Sequence, residues 1–211
     1  MPKVSAEYEQ QQRRRIVVAA RRLFAEQGIH PTRMADVIAA AGVSASTLYR
    51  HFRSKEDLIL ASTTQKLADV TEYVQSLRNA PDDLTPGQAL LGWLESGMGE
   101  LAGTDFDVAA QLALNIWAEG RRNPALREQV VAGHRLVVAA VTDVAREWRR
   151  RGKLRADLDP ETVARVMWSY AEGLIVRSAL SETISLADAE ADLDRLLLAE
   201  PGPVPAAAPA E

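Results

Sequence analysis

The 211-residue chain is 47% hydrophobic and 26% charged, carries a formal net charge of −4 and contains no cysteine. No run approaches the roughly 18 uncharged apolar residues that a membrane span needs, and without cysteine there is no disulfide framework, thiolate metal site or thiol nucleophile. The acidic total hides an uneven distribution, because residues 1–56 hold 10 Lys and Arg against 5 Asp and Glu while the remainder holds 15 against 24.

Residues 1–9 have too little apolar content to pack and are expected to form a mobile arm. The positive charge of residues 1–15, mostly Arg13 to Arg15, has no apolar run behind it, so no secretory leader is expected and a cytoplasmic location fits. A first helix is predicted from Gln10 to Gln27, with Ile16, Ala20, Leu23 and Phe24 as its buried stripe and Arg13, Arg14, Arg15, Arg21 and Arg22 mostly outside. Those arginines are either a solvated face or contacts to a nucleic-acid backbone. Gly28 ends the helix, and His30 before Pro31 is a corner residue.

From Thr32 to Asp57 the sequence predicts short helices joined by tight corners. Thr32 is the expected N-cap of a helix through Ala41 that turns Met34, Val37, Ile38 and Ala41 inward. Gly42 suits a left-handed C-cap, and Ser44 caps the next helix, which makes a helix-turn-helix corner. In that second helix Ala45, Leu48 and Phe52 share one side, so Ser46 and Arg50 face the other with Thr47 and Tyr49 as flanks. A small, hydroxylic and cationic face suits a major groove: hydroxyls reach phosphate oxygens, and an arginine fork pairs with guanine. Ser54 caps a further helix that continues to about residue 78. Near its start, Lys55 and the backbone N–H groups are positioned to hold a phosphate.

Ser44, Thr47, Leu48, Tyr49, His51, Phe52, Ser54, Lys55 and Leu58, preceded by Ala41-Gly42-Val43, form the pattern S-x-x-T-L-Y-x-H-F-x-S-K-x-x-L. This resembles the signature of the tetracycline-repressor (TetR) family of bacterial transcription regulators, tightly over about residues 12–72 and only architecturally beyond. Arg33 departs from the second Thr that family members often carry, and Ile38 from the usual Ala. The outward face and the resemblance together assign DNA contact to Thr32, Arg33, Ser44, Ser46, Thr47, Tyr49, Arg50, His51 and Lys55. The resemblance further implies a homodimer on a palindromic operator in double-stranded DNA, most often a repressor that a small apolar ligand releases.

Residues 79–86, with two prolines around acidic residues, are the strongest loop signal. Periodic apolar segments follow at about 86–102, 105–121, 124–151, 160–180 and 186–199, none with a strand's alternation, and the Pro/Ala-rich tail from 200 to 211 is expected to be disordered. The expected fold is therefore all-α. A three-helix DNA-binding head (10–57) precedes a helical ligand-binding and dimerisation bundle (79–199). The glycines of residues 97–103 follow no strand, so a phosphate loop is not expected there. Arg146, Arg149, Arg150, Arg151, Lys153 and Arg155 end a long helix, where cations are favoured.

His134 shares a stripe with Leu126, Val130, Val137, Val141, Val144 and Trp148. It is either a satisfied core residue or a polar group in a ligand pocket. The same two readings apply to Trp93, Met98, Phe106, Trp117 and Met167. The helix from Glu161 to Leu180 is apolar nearly all round, which calls for a second partner. Self-association through Ala164, Trp168, Ala171 and Ile175, with Leu193, Leu196 and Leu197 of the last helix, is the expected answer, and the resemblance agrees. Neither a cofactor nor a metal is expected. Two rivals stay open: a DNA-binding dimer with a solid core and no effector, and a helical enzyme. The enzyme lacks support, since there is no HExxH or GxSxG, the three histidines are far apart, and Asp105 and Asp107 have no histidine near them.

Overall fold

A computed structural model of the chain describes residues 6–80, 84–98, 106–180 and 184–198. Nine α-helices lie among them: α1 (Ala6–Glu26), α2 (Met34–Ala41), α3 (Ala45–His51), α4 (Lys55–Ser76, closed by a 3-10 turn Leu77–Asn79), α5 (Pro86–Met98), α6 (Phe106–Gly120), α7 (Pro124–Arg150), α8 (Pro160–Ala179) and α9 (Leu186–Leu197). The described residues contain no strand, and Leu154 and Leu198 meet in an isolated bridge. The expected disordered tail, the acidic loop residues 81–83 and most of the glycine-rich stretch around 97–103 lie outside the described residues.

Side-chain caps explain why the helices start where they do. Ser44, Ser54, Asn123, Asp159 and Ser185 each accept the backbone N–H three residues on, satisfying a donor that the first turn leaves orphaned. Pro124 and Pro160 follow two of these caps at the position where a missing N–H costs nothing. Gly42 closes α2 at φ 61°, left-handed as expected.

Two boundaries differ from the sequence expectation. Helix α1 starts at Ala6, inside the supposed arm; Glu7 and Glu9 favour a helix N-terminus, and Glu9 is held by the side chains of Arg50 and His51. The cap of α2 is Arg33, not Thr32. Its backbone N–H donates to Asp36 at 2.8 Å, whereas the Thr32 hydroxyl turns inward and donates to the Gly28 carbonyl at 2.7 Å.

The buried residues form two clusters. One gathers Ile16, Ala20 and Phe24 of α1 with Val37, Leu48, Phe52 and Leu58, and it also takes in Leu112 and Ile116 of α6 and Leu126 of α7. The other joins Val70 and Val74 of α4, Leu90 and Trp93 of α5, Val137 and Val141 of α7, Met167 and Leu174 of α8, and Leu193 and Leu197 of α9. The head is thus completed by helices from beyond residue 79. Arg21, expected outside, is 1% exposed because α1 is covered by α4 as well as by α6, a wider arc than one stripe. Burial pushes the Arg21 pKa down, and the charge of Asp69 on α4 opposes that shift.

Candidate functional site

The outward face of α3 is assembled from its cap onward. Ser44 accepts the Thr47 N–H at 3.1 Å, and its hydroxyl lies 2.8 Å from those of both Ser46 and Thr47, so three hydroxyls form one exposed patch. Tyr49 is half exposed, Arg50 next to it is exposed, and so is Arg33 at the start of α2. Leu48 and Phe52 fix the helix from below at 0% and 2% exposure. Ala45, expected inward with them, is exposed, since the first helical residue lies beyond the edge of the core.

Three residues assigned to DNA contact are used otherwise. Thr32 is buried on the Gly28 carbonyl. The Lys55 ammonium donates to the carbonyls of Ile29 and His30 at 3.0 Å and of Thr32 at 3.2 Å, clamping the corner between α1 and α2, so its three donors are taken. His51 has only 10% of its side chain exposed and lies against Glu9. Among the α1 arginines, Arg15 donates to the Ala41 carbonyl at 2.9 Å and Arg13 sits 5.2 Å from the Phe52 ring centroid.

Between α4, α5, α6, α7 and α8 lies a partly open cavity of about 80 Å³. Such a volume has room for several waters or for one end of a small molecule. Trp93, Phe106, Trp117 and His134, predicted as core or pocket wall, all line it, together with Ala109, Ala110, Ala113 and Ala171. Trp168 lines it too, stacked on Trp93 at 5.0 Å between ring centroids and 4.4 Å from the His134 ring. Met167 does not; it points into the bundle core, 2% exposed. The Met98 side chain lies outside the described residues. Trp117, Val130, His134 and Glu172 also line an outer recess of about 480 Å³, bounded by Arg121 and Arg127. Burial pushes the Glu172 pKa up, while a hydrogen bond with Trp168 works the other way. His134 Nδ1 is 3.8 Å from Glu172 Oε1.

This cavity shares a wall with the head. Ile116 lines the cavity and belongs to the head core. One residue earlier, Asn115 donates to the Phe24 carbonyl of α1 at 2.9 Å, and His30 Nε2 sits 3.1 Å from Glu119 at the end of α6.

The sequence profile of the bacterial regulatory proteins of the tetR family matches residues 16–62, and that of the BetI-type transcriptional repressor C-terminal region matches 101–200. The chain belongs to the TetR family. It is therefore a DNA-binding transcriptional regulator with an N-terminal helix-turn-helix. The regulator UidR of Escherichia coli K12 is 27% identical over 161 residues, 74% of this chain and 76% of that one. Among solved structures, GusR of Salmonella enterica is 28% identical with a TM-score of 0.66, covering 92% of this chain and 98% of that one. A transcriptional regulator from Saccharomonospora viridis in complex with choline shares the fold at a TM-score of 0.72 and 22% identity, over 90% and 100% of the two chains.

In this TetR-family chain, the residues expected at a dimer contact mostly face inward. Ala164 and Ala171 are 0% and 2% exposed, Trp168, Ala171 and Ile175 line the cavity, and Leu193 and Leu197 are buried within the chain's own core. Only Leu196, at 61%, is exposed. The buried residues of α8, among them Val163, Ala164, Met167, Ala171 and Leu174, span one broad arc at 100° per residue. The opposite arc carries Val166, Tyr170, Gly173 and Leu180, with Val166 at 44% and Leu180 at 68% exposure, and the space beyond Gly173 is open. Of the basic cluster after residue 146, Arg146 pairs with Asp143 and Glu161, Arg150 and Arg151 with Glu147, and Arg155 with Asp157, a surface ion-pair network rather than a free basic patch. No helix of the described residues is long and apolar enough to cross a membrane.

Proposed function

We propose that two copies of this chain pair through the exposed arc of α8 and Leu196 of α9, place their α3 helices in successive major grooves of a palindromic operator, and leave it when a small, mostly apolar molecule enters the cavity. The observation that carries the reading is the wall shared by cavity and head. A ligand wedged against Ile116 and Trp117 displaces α6, and α1 must follow because Leu112 and Ile116 complete its core. Recognition helices about 34 Å apart fit one turn of duplex, so a small rotation of each head breaks the match. The ligand favours the mismatched geometry, and reciprocity then requires operator DNA to weaken ligand binding by the same factor. The cavity favours this reading over a solid-core dimer, and the choline complex of the Saccharomonospora viridis regulator shows a chain of this fold holding a small molecule. Such a regulator works beside the chromosome, in the bacterial cytoplasm.

The test is a titration of small apolar compounds followed by Trp emission and operator binding together. A binding compound is expected to change the fluorescence, lower operator affinity by about 5- to 150-fold, and lose its optical signal in Trp117→Phe or Trp168→Phe. Compounds that bind in the cavity without moving operator affinity refute the mechanism. For the dimer, Leu180→Arg is expected to give monomers that keep their helical content, because the charge lands on the exposed arc and not in the core. A wild-type mass of one chain in light scattering refutes the pairing.

A further inference from the structure

Glu9 lies on α1, outside the helix-turn-helix, yet its two carboxylate oxygens divide between neighbouring residues of α3. Oε1 is 3.3 Å from Arg50 Nη2, and Oε2 is 3.1 Å from His51 Nε2, the latter off the axis of a hydrogen bond. The two contacts differ in mobility. His51 is 10% exposed at the side chain and fixed, whereas Arg50 is 53% exposed and able to swing. Glu9 itself cannot follow Arg50 outward, because the turns after it are anchored by Gln12 and Ile16 at 7% and 0% exposure.

We infer that Glu9 is a specificity-determining residue of the DNA-reading face, an internal substitute for a DNA phosphate on Arg50. An unrestrained arginine at this place pairs with whichever phosphate is nearest, and such contacts are blind to sequence. With Glu9 in place, a lone phosphate offers Arg50 little more than the carboxylate it already has. A guanine edge offers two parallel hydrogen bonds in the fork geometry of the guanidinium, so it wins the exchange. Discrimination therefore comes from an element that penalises the wrong sites.

The experiment uses full-length protein, a duplex selected by the wild-type chain from a random pool, and a scrambled duplex of the same length and composition. An exposed ion pair is worth at most roughly fivefold, so Glu9→Gln is expected to tighten binding to the scrambled duplex about three- to fivefold at low salt. Its log–log salt slope steepens by about 0.9, and the ratio between the two duplexes falls. In an Arg50→Ala background, Glu9→Gln no longer moves that ratio. Glu7→Gln, which removes the same charge from an exposed residue of α1, leaves the ratio unchanged. Equal effects of Glu7→Gln and Glu9→Gln reduce the role to net charge and overturn it, as does a Glu9→Gln effect that persists without Arg50. The inference rests on α3 being the groove-reading helix. If Arg50→Ala leaves the selected duplex bound as tightly as before, that reading and this one fall together. If Arg50→Ala weakens it while Glu9→Gln matches wild type, the role of Glu9 alone is overturned.

Discussion

In the head, Ile16, Val37, Leu48 and Leu58, none more than 1% exposed, meet around Phe24 and Phe52. In the body, the rings of Trp93, Trp117 and Trp168 and the methyl groups of Ala109, Ala110, Ala113 and Ala171 together line about 80 Å³ of unfilled space. Both regions are amphipathic helices, but they differ in how their side chains share volume. Medium-sized branched residues interdigitate, while stiff rings set among alanines leave a gap that neither can close. The head is closely filled, whereas the body keeps open space.

The largest effect that sharpens this contrast is expected at Leu48. Leu48→Ala removes the residue that seats α3 and costs about 3–5 kcal/mol in urea unfolding, with loss of DNA binding. Lys55→Ala comes next: three carbonyls lose a charged donor, so stability falls by about 2 kcal/mol while the salt dependence of DNA binding hardly changes. Arg50→Ala does the reverse, keeping stability and losing about 1–3 kcal/mol of binding to the selected duplex. A matched pair of overpacking changes probes the two cores directly. Ala20→Val in the head is expected to cost about 1–3 kcal/mol, whereas Ala113→Val at the cavity wall costs less than about 1 kcal/mol and weakens effector binding instead. Equal costs would erase the distinction between filled head and receptive body.

The smallest effect concerns pH. Because burial raises the Glu172 pKa, the folded chain holds that proton more tightly than the unfolded chain. Its contribution to stability is present below the ordinary glutamate range, near pH 4, and is lost as pH rises through the raised value. Glu172→Gln should therefore melt higher than wild type at pH 7, by no more than about 2 °C, and lose that advantage near pH 4. A pH-independent difference would show that the carboxylate is effectively solvated.

How far the sequence carries can be judged from the same residues. Ser44, Gly42 and Ser54 announce the helix-turn-helix because a cap acts within four residues of itself. The arc of α8 that stays exposed, the inward turn of Trp168 and the burial of Arg21 depend on which neighbours cover a helix, and spacing along one helix does not encode that. Lys55 shows what packing adds. A lysine at a helix N-terminus is a sound phosphate ligand, but the carbonyls of residues 29, 30 and 32 come within reach of it only after α1 and α2 have packed. Glu9 escaped notice for the opposite reason: nothing in a short, polar N-terminal stretch signals that it will lie against α3.

That α6 supplies Leu112 and Ile116 to the head also decides how the molecule unfolds. A fragment ending near residue 60 would carry an apolar notch where those side chains belong, so the DNA-reading end is not a self-sufficient folding unit and ought to melt with the rest in one cooperative step. Any compound that fills the cavity then raises the melting temperature of the head as well, by mass action on the shared transition. Amide hydrogen exchange in α3, none of whose residues lines the cavity, becomes a reporter of what has bound inside.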